Sequence, residues 1–140
     1  MGDIALFVDS RGGNTRKVAD AMAGELGVTA GDLAVPLPTE AKILFLGSGT
    51  YGSAPGIEMM KFVTDNVFTS RRVALFGTSV SEAGAKNMIA AMEDALIRKG
   101  AKVMGSFQCR GRFLVFNRGR PDAQDLENAK KFARDMLRAG

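Results

Sequence analysis

The sequence has no histidine, no tryptophan and a single cysteine among its 140 residues. Without histidine there is neither a Ser-His-Asp triad nor a histidine-ligated metal. One cysteine cannot close a disulfide within the chain, complete a structural zinc site or ligate an iron–sulfur cluster. These absences predict no catalytic side chain and no metal site. Any chemistry beyond binding would then depend on a bound cofactor.

The sequence also lacks any apolar run approaching the roughly 18 residues that a membrane span needs. Its first residues lead directly into a strand-like run, so we expect no signal peptide, no membrane association and a cytoplasmic location. The hydrophobic fraction of 46% and the charged fraction of 24% are typical of a globular protein. The length predicts one domain over residues 1–140.

The charge balance is basic, with a formal net charge of +4. Four arginines, Arg110, Arg112, Arg118 and Arg120, lie in one short stretch. A basic balance favours acidic partners, although a solvated basic surface is an equally good interpretation. We expect no nucleic-acid binding, because no such motif is present and the arginines are not interleaved with aromatic residues that look exposed.

Strand-like apolar runs alternate with segments of helical periodicity along the chain. The predicted strands cover residues 3–8, 32–35, 42–47, 72–76 and 102–109, and the predicted helices cover residues 14–26, 57–66, 85–99 and 122–138. Pro36 and Pro38 confine the second strand to an edge of the sheet. This alternation predicts an α/β fold, a doubly wound parallel sheet of five strands in the order 2-1-3-4-5 with helices on both faces.

In such a sheet, ligands bind beyond the carboxyl ends of the strands, at the switch point between strands 1 and 3. The segments that follow strands 1, 3 and 4 are residues 10–15, 48–56 and 77–81, and all three are rich in glycine, serine and threonine. We therefore expect these three segments to converge on one ligand site.

The first of these segments joins a strand directly to a helix. N–H groups at a helix start are unpaired, and the helix dipole adds positive charge there. Adjacent glycines let the backbone curl closely around a ligand. We predict a phosphate-binding loop, for which an ordinary tight turn is the alternative. Its residues are Ser10, Arg11, Gly12, Gly13, Asn14 and Thr15.

The second segment begins within Gly47-Ser-Gly-Thr-Tyr-Gly52, which formally matches G-x-G-x-x-G. It is not a dinucleotide fingerprint, because Pro55 and Gly56 separate its last glycine from the next helix. Tyr51 is the only tyrosine of the chain. Next to a phosphate-binding loop, this ring favours a ligand with a flat ring and a phosphate tail.

Together these residues resemble the short-chain flavodoxins over essentially the full length of the chain. Leu6-Phe-Val-Asp-Ser-Arg-Gly-Gly-Asn-Thr-Arg-Lys-Val-Ala19 is similar to the phosphate-loop signature of the family, with Val8 where the family prefers an aromatic residue. Leu46-Gly-Ser-Gly-Thr-Tyr-Gly52 is similar to the second flavin loop, which often reads Thr-Trp-Gly or Thr-Tyr-Gly. The resemblance implies a flavodoxin-like fold.

The resemblance also implies non-covalently bound FMN. Its phosphate would lie on the phosphate-binding loop, and Tyr51 would stack on the isoalloxazine ring. The carbonyl of Gly52 would turn to accept a hydrogen bond from the reduced ring, and Thr78 with the loop to Gly84 would cover the pyrimidine edge. The further cofactor-binding residues so implied are Ser48, Gly49, Thr50, Tyr51, Gly52, Gly77, Thr78, Ser79 and Gly84.

The chain departs from the family in two respects. Flavodoxins usually place a second aromatic residue in the loop after strand 4, but Thr78-Ser-Val-Ser-Glu-Ala-Gly84 has none. One face of the ring would then be open or covered by aliphatic side chains. Flavodoxins are also usually acidic, whereas this chain is basic.

The leading prediction is an FMN-dependent electron carrier between redox partner proteins with acidic docking surfaces. One alternative is an FMN-dependent NAD(P)H reductase of a quinone or similar acceptor, since an open ring face would admit a substrate. The other is a non-redox module that binds a phosphate or nucleotide. Cys109 is interpreted as a buried strand residue, with a reactive thiol beside Arg110 as the alternative.

Overall fold

The computed structural model describes residues 3–33, 36–113 and 116–139. Its strands are β1 (Ile4–Asp9), β2 (Ala30–Gly31), β3 (Ile43–Gly49), β4 (Arg72–Ser79) and β5 (Lys102–Arg110). Its helices are α1 (Asn14–Leu26), α2 (Ile57–Asp65), α3 (Glu82–Arg98) and α4 (Ala123–Ala139). All strand pairs are parallel, in the order β2-β1-β3-β4-β5, which confirms the predicted fold.

The sheet has an apolar core on each face. Consecutive side chains of the central strand β3 alternate between them, with Leu44 and Leu46 in one cluster and Phe45 in the other. The first cluster includes Phe62 of α2 and residues of α3, and the second includes residues of α1 and α4. The helices therefore cover both faces in two pairs, and the carboxyl edge of the sheet remains available for a site.

The ends of two strands differ from the prediction. The sequence predicts that strands 3 and 4 end at residues 47 and 76, but β3 continues to Gly49 and β4 to Ser79. Parallel pairing continues through Gly49 with Thr78 and through Ser79 with Arg110. The polar residues at these ends therefore belong to the sheet and are held more firmly than loop residues would be.

The prediction of the second strand at residues 32–35 is wrong. The strand is Ala30–Gly31, and it pairs with Leu6 and Phe7 of β1. Residues 34 and 35 lie outside the described residues. Leu33, which suggested a strand, instead packs partly buried against the core cluster that contains α2 and α3.

Side-chain hydrogen bonds fix the starts of α3 and α4. Helix α3 begins three residues before the predicted start, because the Ser81 hydroxyl accepts the Gly84 N–H at 3.1 Å. Asp122 and Asp125 accept each other's N–H groups at 2.9 and 2.8 Å, and this reciprocal pair caps the start of α4. In the described part of the chain, no helix is long and apolar enough to cross a membrane.

Candidate functional site

A cavity of about 430 Å³ lies at the carboxyl ends of β1, β3 and β4. Residues from all three predicted segments line it, so the structure brings these segments together. The predicted site residues among its lining are Ser10, Arg11, Gly12, Asn14, Thr15, Gly49, Thr50, Tyr51, Thr78 and Ser79.

The loop between β1 and α1 is shaped by one hydroxyl and one glycine. The Ser10 hydroxyl accepts the N–H groups of Gly13 and Arg16, both at 3.2 Å. Gly13 is the N-cap residue of α1 with a φ of 87°, a left-handed conformation that favours glycine. The first N–H groups of a helix have no carbonyl partner within it. Because Asn14 and Thr15 line the cavity, the loop presents a helix start to any anion bound there.

Two threonine hydroxyls join this loop to the end of β4. Thr15 and Thr78 are 1% and 4% exposed, and their hydroxyl oxygens lie 2.7 Å apart. The Thr50 hydroxyl donates to the carbonyl of Thr78 at 2.9 Å. These contacts fix the floor of the cavity, because each of the three segments supplies one partner.

Tyr51 lies between the loop after β3 and the phosphate-binding loop. Its hydroxyl accepts the Arg11 N–H at 3.0 Å, and the guanidinium carbon of Arg11 lies 4.0 Å from the ring centroid. A Cβ at Gly49 would come within 2.6 Å of the Tyr51 hydroxyl, so the ring packs directly over that glycine. The Arg11 guanidinium therefore covers one face of the Tyr51 ring through a cation–π contact.

Two predicted residues near Tyr51 serve the backbone. The Ser48 side chain is fully buried, and its hydroxyl donates to the Gly49 carbonyl at 2.7 Å and accepts the Gly56 N–H at 2.9 Å. Gly52 and Ser53 have φ of 60° and 63° in a two-residue turn closed by hydrogen bonds between Tyr51 and Ala54. Ser48 and Gly52 are outside the described lining of the cavity and shape the loop that carries Tyr51.

The remaining predicted residues also act through the backbone. Gly13, Gly77 and Gly84 are outside the described lining of the cavity. A Cβ at Gly77 would overlap the Met88 side chain, and a Cβ at Gly84 would approach the Ser79 and Ser81 hydroxyls to 3.0 Å. These two glycines therefore allow α3 to pack closely on the end of β4.

The sequence missed one wall of the cavity, formed by the segment that follows β5. We refer to residues 111–113 and 116–120 as the arm. Gly111, Arg112 and Phe113 of the arm line the cavity. The arm also follows a strand at the same edge of the sheet, and this position is the signal that could have identified it.

Three hydrogen bonds attach the arm to the site. The Asn14 amide donates to the Arg112 carbonyl at 2.7 Å. The Gly111 N–H donates to the Ser79 carbonyl at 3.0 Å, and the Asn117 amide donates to the Val80 carbonyl at 2.9 Å. The arm is thus joined to both the phosphate-binding loop and the end of β4.

The arm carries exposed aromatic residues between its arginines. Phe113 and Phe116 are each 57% exposed and lie between Arg112 and Arg118. The expectation that the arginines are not interleaved with exposed aromatic residues is therefore wrong. The surface beside the cavity combines positive charge with apolar rings.

The far end of the arm is anchored to α4 by an ion pair. The Arg120 guanidinium donates to both carboxylate oxygens of Asp125, at 2.6 and 2.9 Å. Burial raises the pKa of Asp125, but hydrogen bonds from Arg120 and from the Asp122 backbone outweigh that effect and hold the pKa below its usual value. The same contact raises the pKa of Arg120.

Cys109 lies next to the arm, in the last part of β5. Burial raises the pKa of its thiol to about 12, and the charge of Asp125 adds to the effect. Positive charge from Arg120 acts in the opposite direction and is outweighed. Cys109 is half-buried and not fully buried as the sequence predicts, but the raised pKa of its thiol favours an unreactive residue over the reactive-thiol alternative.

Across residues 3–33, 36–113 and 116–139, no cluster of histidine, cysteine, aspartate or glutamate residues is arranged to hold a metal ion. The described site consists of hydroxyls, backbone N–H groups, arginines and two aromatic rings. Such a set can bind an anion and a flat ring.

No protein-family model matches the chain. A curated relative, the uncharacterised protein MJ0298 of Methanocaldococcus jannaschii, is 25% identical over an alignment of 149 positions that covers 99% of each chain. That relative has no stated activity, so it carries no functional argument.

Solved structures of similar shape include a flavodoxin from the domain Archaea, with a TM-score of 0.75, 19% identity and coverage of 97% of this chain and 96% of that one. Flavodoxin 2 from Bacillus cereus gives a TM-score of 0.76 at 19% identity, with 99% of each chain covered. In rubredoxin oxygen:oxidoreductase from Desulfovibrio gigas, 99% of this chain matches 36% of that one, with a TM-score of 0.78 and 15% identity. The chain therefore has the flavodoxin-like fold.

Proposed function

We propose that this protein binds FMN non-covalently in the cavity and carries electrons between redox partner proteins. The supporting observation is that a helix-start loop suited to an anion and the ring of Tyr51 border the same cavity of about 430 Å³. That volume is within the range of small-molecule sites, about 300–1,000 Å³. The likeness in fold to two flavodoxins gives further support.

The residues fit the chemical parts of FMN. The Ser10–Thr15 loop offers hydroxyls and helix-start N–H groups to a phosphate. Tyr51, Val80 and Phe113 give the cavity apolar lining that suits a flat ring. When bound, FMN would supply one-electron transfer. The residues of the chain would bind and orient it.

Binding is tested by titrating the purified protein with FMN and with riboflavin, which lacks the phosphate, in a calorimeter. We expect FMN to bind more tightly than riboflavin. Ser10→Ala removes the hydroxyl that holds Gly13 and Arg16. We expect it to weaken FMN binding about tenfold, or about 1.4 kcal/mol, and to leave riboflavin binding unchanged. Ser106→Ala, at an exposed position of β5, is the matched control.

Two results would contradict the proposal. If the protein binds inorganic phosphate or a nucleotide but neither flavin, it is a non-redox binding module. If the FMN-loaded protein is bleached rapidly by NAD(P)H alone in a stopped-flow instrument, it is a reductase. Slow bleaching by NAD(P)H, with rapid electron exchange with another redox protein, is the result expected of a carrier.

We also propose that its partners present acidic surfaces and meet it in the cytoplasm. Arg11, Arg112 and Arg118 are exposed on the phosphate-binding loop and the arm. Attraction between such a surface and an acidic protein is screened by salt. We therefore expect electron exchange with an acidic redox protein to slow as ionic strength rises, and exchange with a basic one to become faster. Rates that do not depend on salt would contradict this choice of partner.

A further inference from the structure

We propose that Phe113 forms the second aromatic wall of the ring subsite, in place of the aromatic residue that the loop after β4 lacks. The inference rests on the proposed function. It assigns a binding role to the arm.

The loop after β4 leaves this wall unfilled. Residues 78–84 contain no aromatic side chain, and from that loop the cavity is lined by Thr78, Ser79 and Val80. Among the described residues, Tyr51 and Phe113 are the aromatic residues that line the cavity. The second aromatic ring of the lining, Phe113, therefore lies some 30 residues after the loop that follows β4.

Backbone hydrogen bonds hold Phe113 itself and the two residues before it. Gly111 and Arg112, the residues before it, are hydrogen-bonded to Ser79 and Asn14 at 3.0 and 2.7 Å. Phe113 and Phe116 exchange two backbone hydrogen bonds, at 3.1 and 2.9 Å. Phe113 is therefore held at the edge of the cavity by contacts with both the phosphate-binding loop and β4.

The close approach of the arm depends on glycine. A Cβ at Gly111 would come within 2.9 Å of the Asn14 amide nitrogen and 3.1 Å of its Cβ. Because the Asn14 Cβ is fixed to the helix start, Gly111→Ala would push the arm and Asn14 apart. The position of Phe113 is thus coupled to the residues that face the phosphate.

Phe113 also has surface left to bury. It is 57% exposed although it lines the cavity, so a flat ring bound there would cover apolar area that is now in water. Stacking of a flat heteroaromatic ring on an aromatic side chain favours binding by a factor of roughly 5 to 150.

Phe116 provides a matched control. Its side chain has the same exposure of 57%, and its backbone forms the two hydrogen bonds with Phe113 described above. Unlike Phe113, it is outside the described lining of the cavity. Because both side chains are exposed, neither replacement by alanine should unfold the protein.

The test compares Phe113→Ala, Phe116→Ala and Phe113→Trp by calorimetric titration with FMN and riboflavin. We expect Phe113→Ala to weaken both ligands by about tenfold, because the ring contact is lost and the phosphate contact is kept. Phe116→Ala should match the wild type, and Phe113→Trp should retain binding. Gly111→Ala should weaken riboflavin binding as Phe113→Ala does.

The failures can be told apart. If the wild-type protein binds FMN and Phe113→Ala binds it with equal affinity, this inference is overturned and the proposed function remains intact. Equal weakening by Phe113→Ala and Phe116→Ala would also overturn it, since that result reflects general loosening of the arm. Wild-type protein that binds neither flavin would overturn both.

Discussion

The hydroxyl oxygens of Thr15 and Thr78 lie 2.7 Å apart although the two residues are separated by 63 positions in the chain. Both side chains are buried, and one hydroxyl donates a hydrogen bond to the other. This contact joins the start of α1 to the end of β4, and it gives the site a measurable link to folding stability.

Thr78→Val keeps the shape of the side chain and leaves the Thr15 hydroxyl buried without its partner. We expect a loss of about 1–2 kcal/mol in the free energy of unfolding, measured by urea denaturation. Thr15→Val should cost a similar amount, whereas the double variant should cost less than the sum, because no polar group is left unpaired. Strictly additive losses would show that the two hydroxyls do not interact.

Gly56→Ala tests how α2 is capped. Gly56 is the N-cap residue and has no side chain, and Asp9 of β1 instead accepts the Met59 N–H at 3.0 Å. A Cβ at Gly56 would overlap the Asp9 carboxylate. We expect a loss of about 1–3 kcal/mol in the free energy of unfolding. As a control, Gly24→Ala in α1 meets no atom within 4 Å and should stabilise by about 0.5–1 kcal/mol.

The Arg120–Asp125 pair predicts a dependence of stability on pH. Because the folded protein lowers the pKa of Asp125, the pair stabilises fully above the ordinary carboxyl pKa of about 4 and is lost as pH falls through the folded value. Asp125→Asn should therefore cost about 1–2 kcal/mol at neutral pH and progressively less in acid.

The control for that experiment is Asp94→Asn, which removes an exposed pair with Arg98 on α3. Exposed pairs of this spacing contribute about 0.3–0.5 kcal/mol, so its effect should be small throughout. Urea denaturation of all three proteins across the acidic range measures the differences. A loss for Asp125→Asn that stays constant as pH falls would show that the charge of the carboxylate is not the cause.

Cys109 should resist alkylation in the folded protein. With burial raising its pKa to about 12, only a trace of thiolate is present at mildly alkaline pH. We expect the reaction with iodoacetamide to be roughly a thousandfold slower than that of an ordinary thiol. Protein unfolded in urea should react at the ordinary rate, which makes it the control. Rapid labelling of the folded protein would restore the reactive-thiol interpretation.

The predictable part of the fold is the part that local pattern determines. Helix α1 lies at the predicted residues because Gly13 and Gly27, with φ of 87° and 72°, mark its two ends. Apolar runs identified the buried strands, and the chirality of parallel crossovers then restricted their order. The strand ends were harder to predict, since Gly49 and Ser79 have loop-like sequences and are held in the sheet only by their neighbours.

The site residues also differ in whether a local sequence pattern or a distant contact determines their position. The positions of the Ser10–Thr15 loop and of Tyr51 at the cavity could be predicted from the sequence because each lies next to a recognisable strand. The arm was missed because its contact with the loop joins residues 98 positions apart, and no local pattern encodes that distance. Likewise, nothing in the sequence indicates that the Tyr51 hydroxyl reaches back 40 positions to the Arg11 N–H.

The hydrogen bond from the Arg11 N–H to the Tyr51 hydroxyl makes ligand binding at the site measurable by tyrosine fluorescence. The chain has one tyrosine and no tryptophan, so its intrinsic near-ultraviolet emission comes chiefly from Tyr51, under the Arg11 guanidinium. An anion that takes the Arg11 N–H must displace the Tyr51 hydroxyl, and it changes the surroundings of that single fluorophore. If the Ser10–Thr15 loop binds phosphate as proposed, its occupancy can be followed by fluorescence in the unlabelled protein, with inorganic phosphate alone as the ligand.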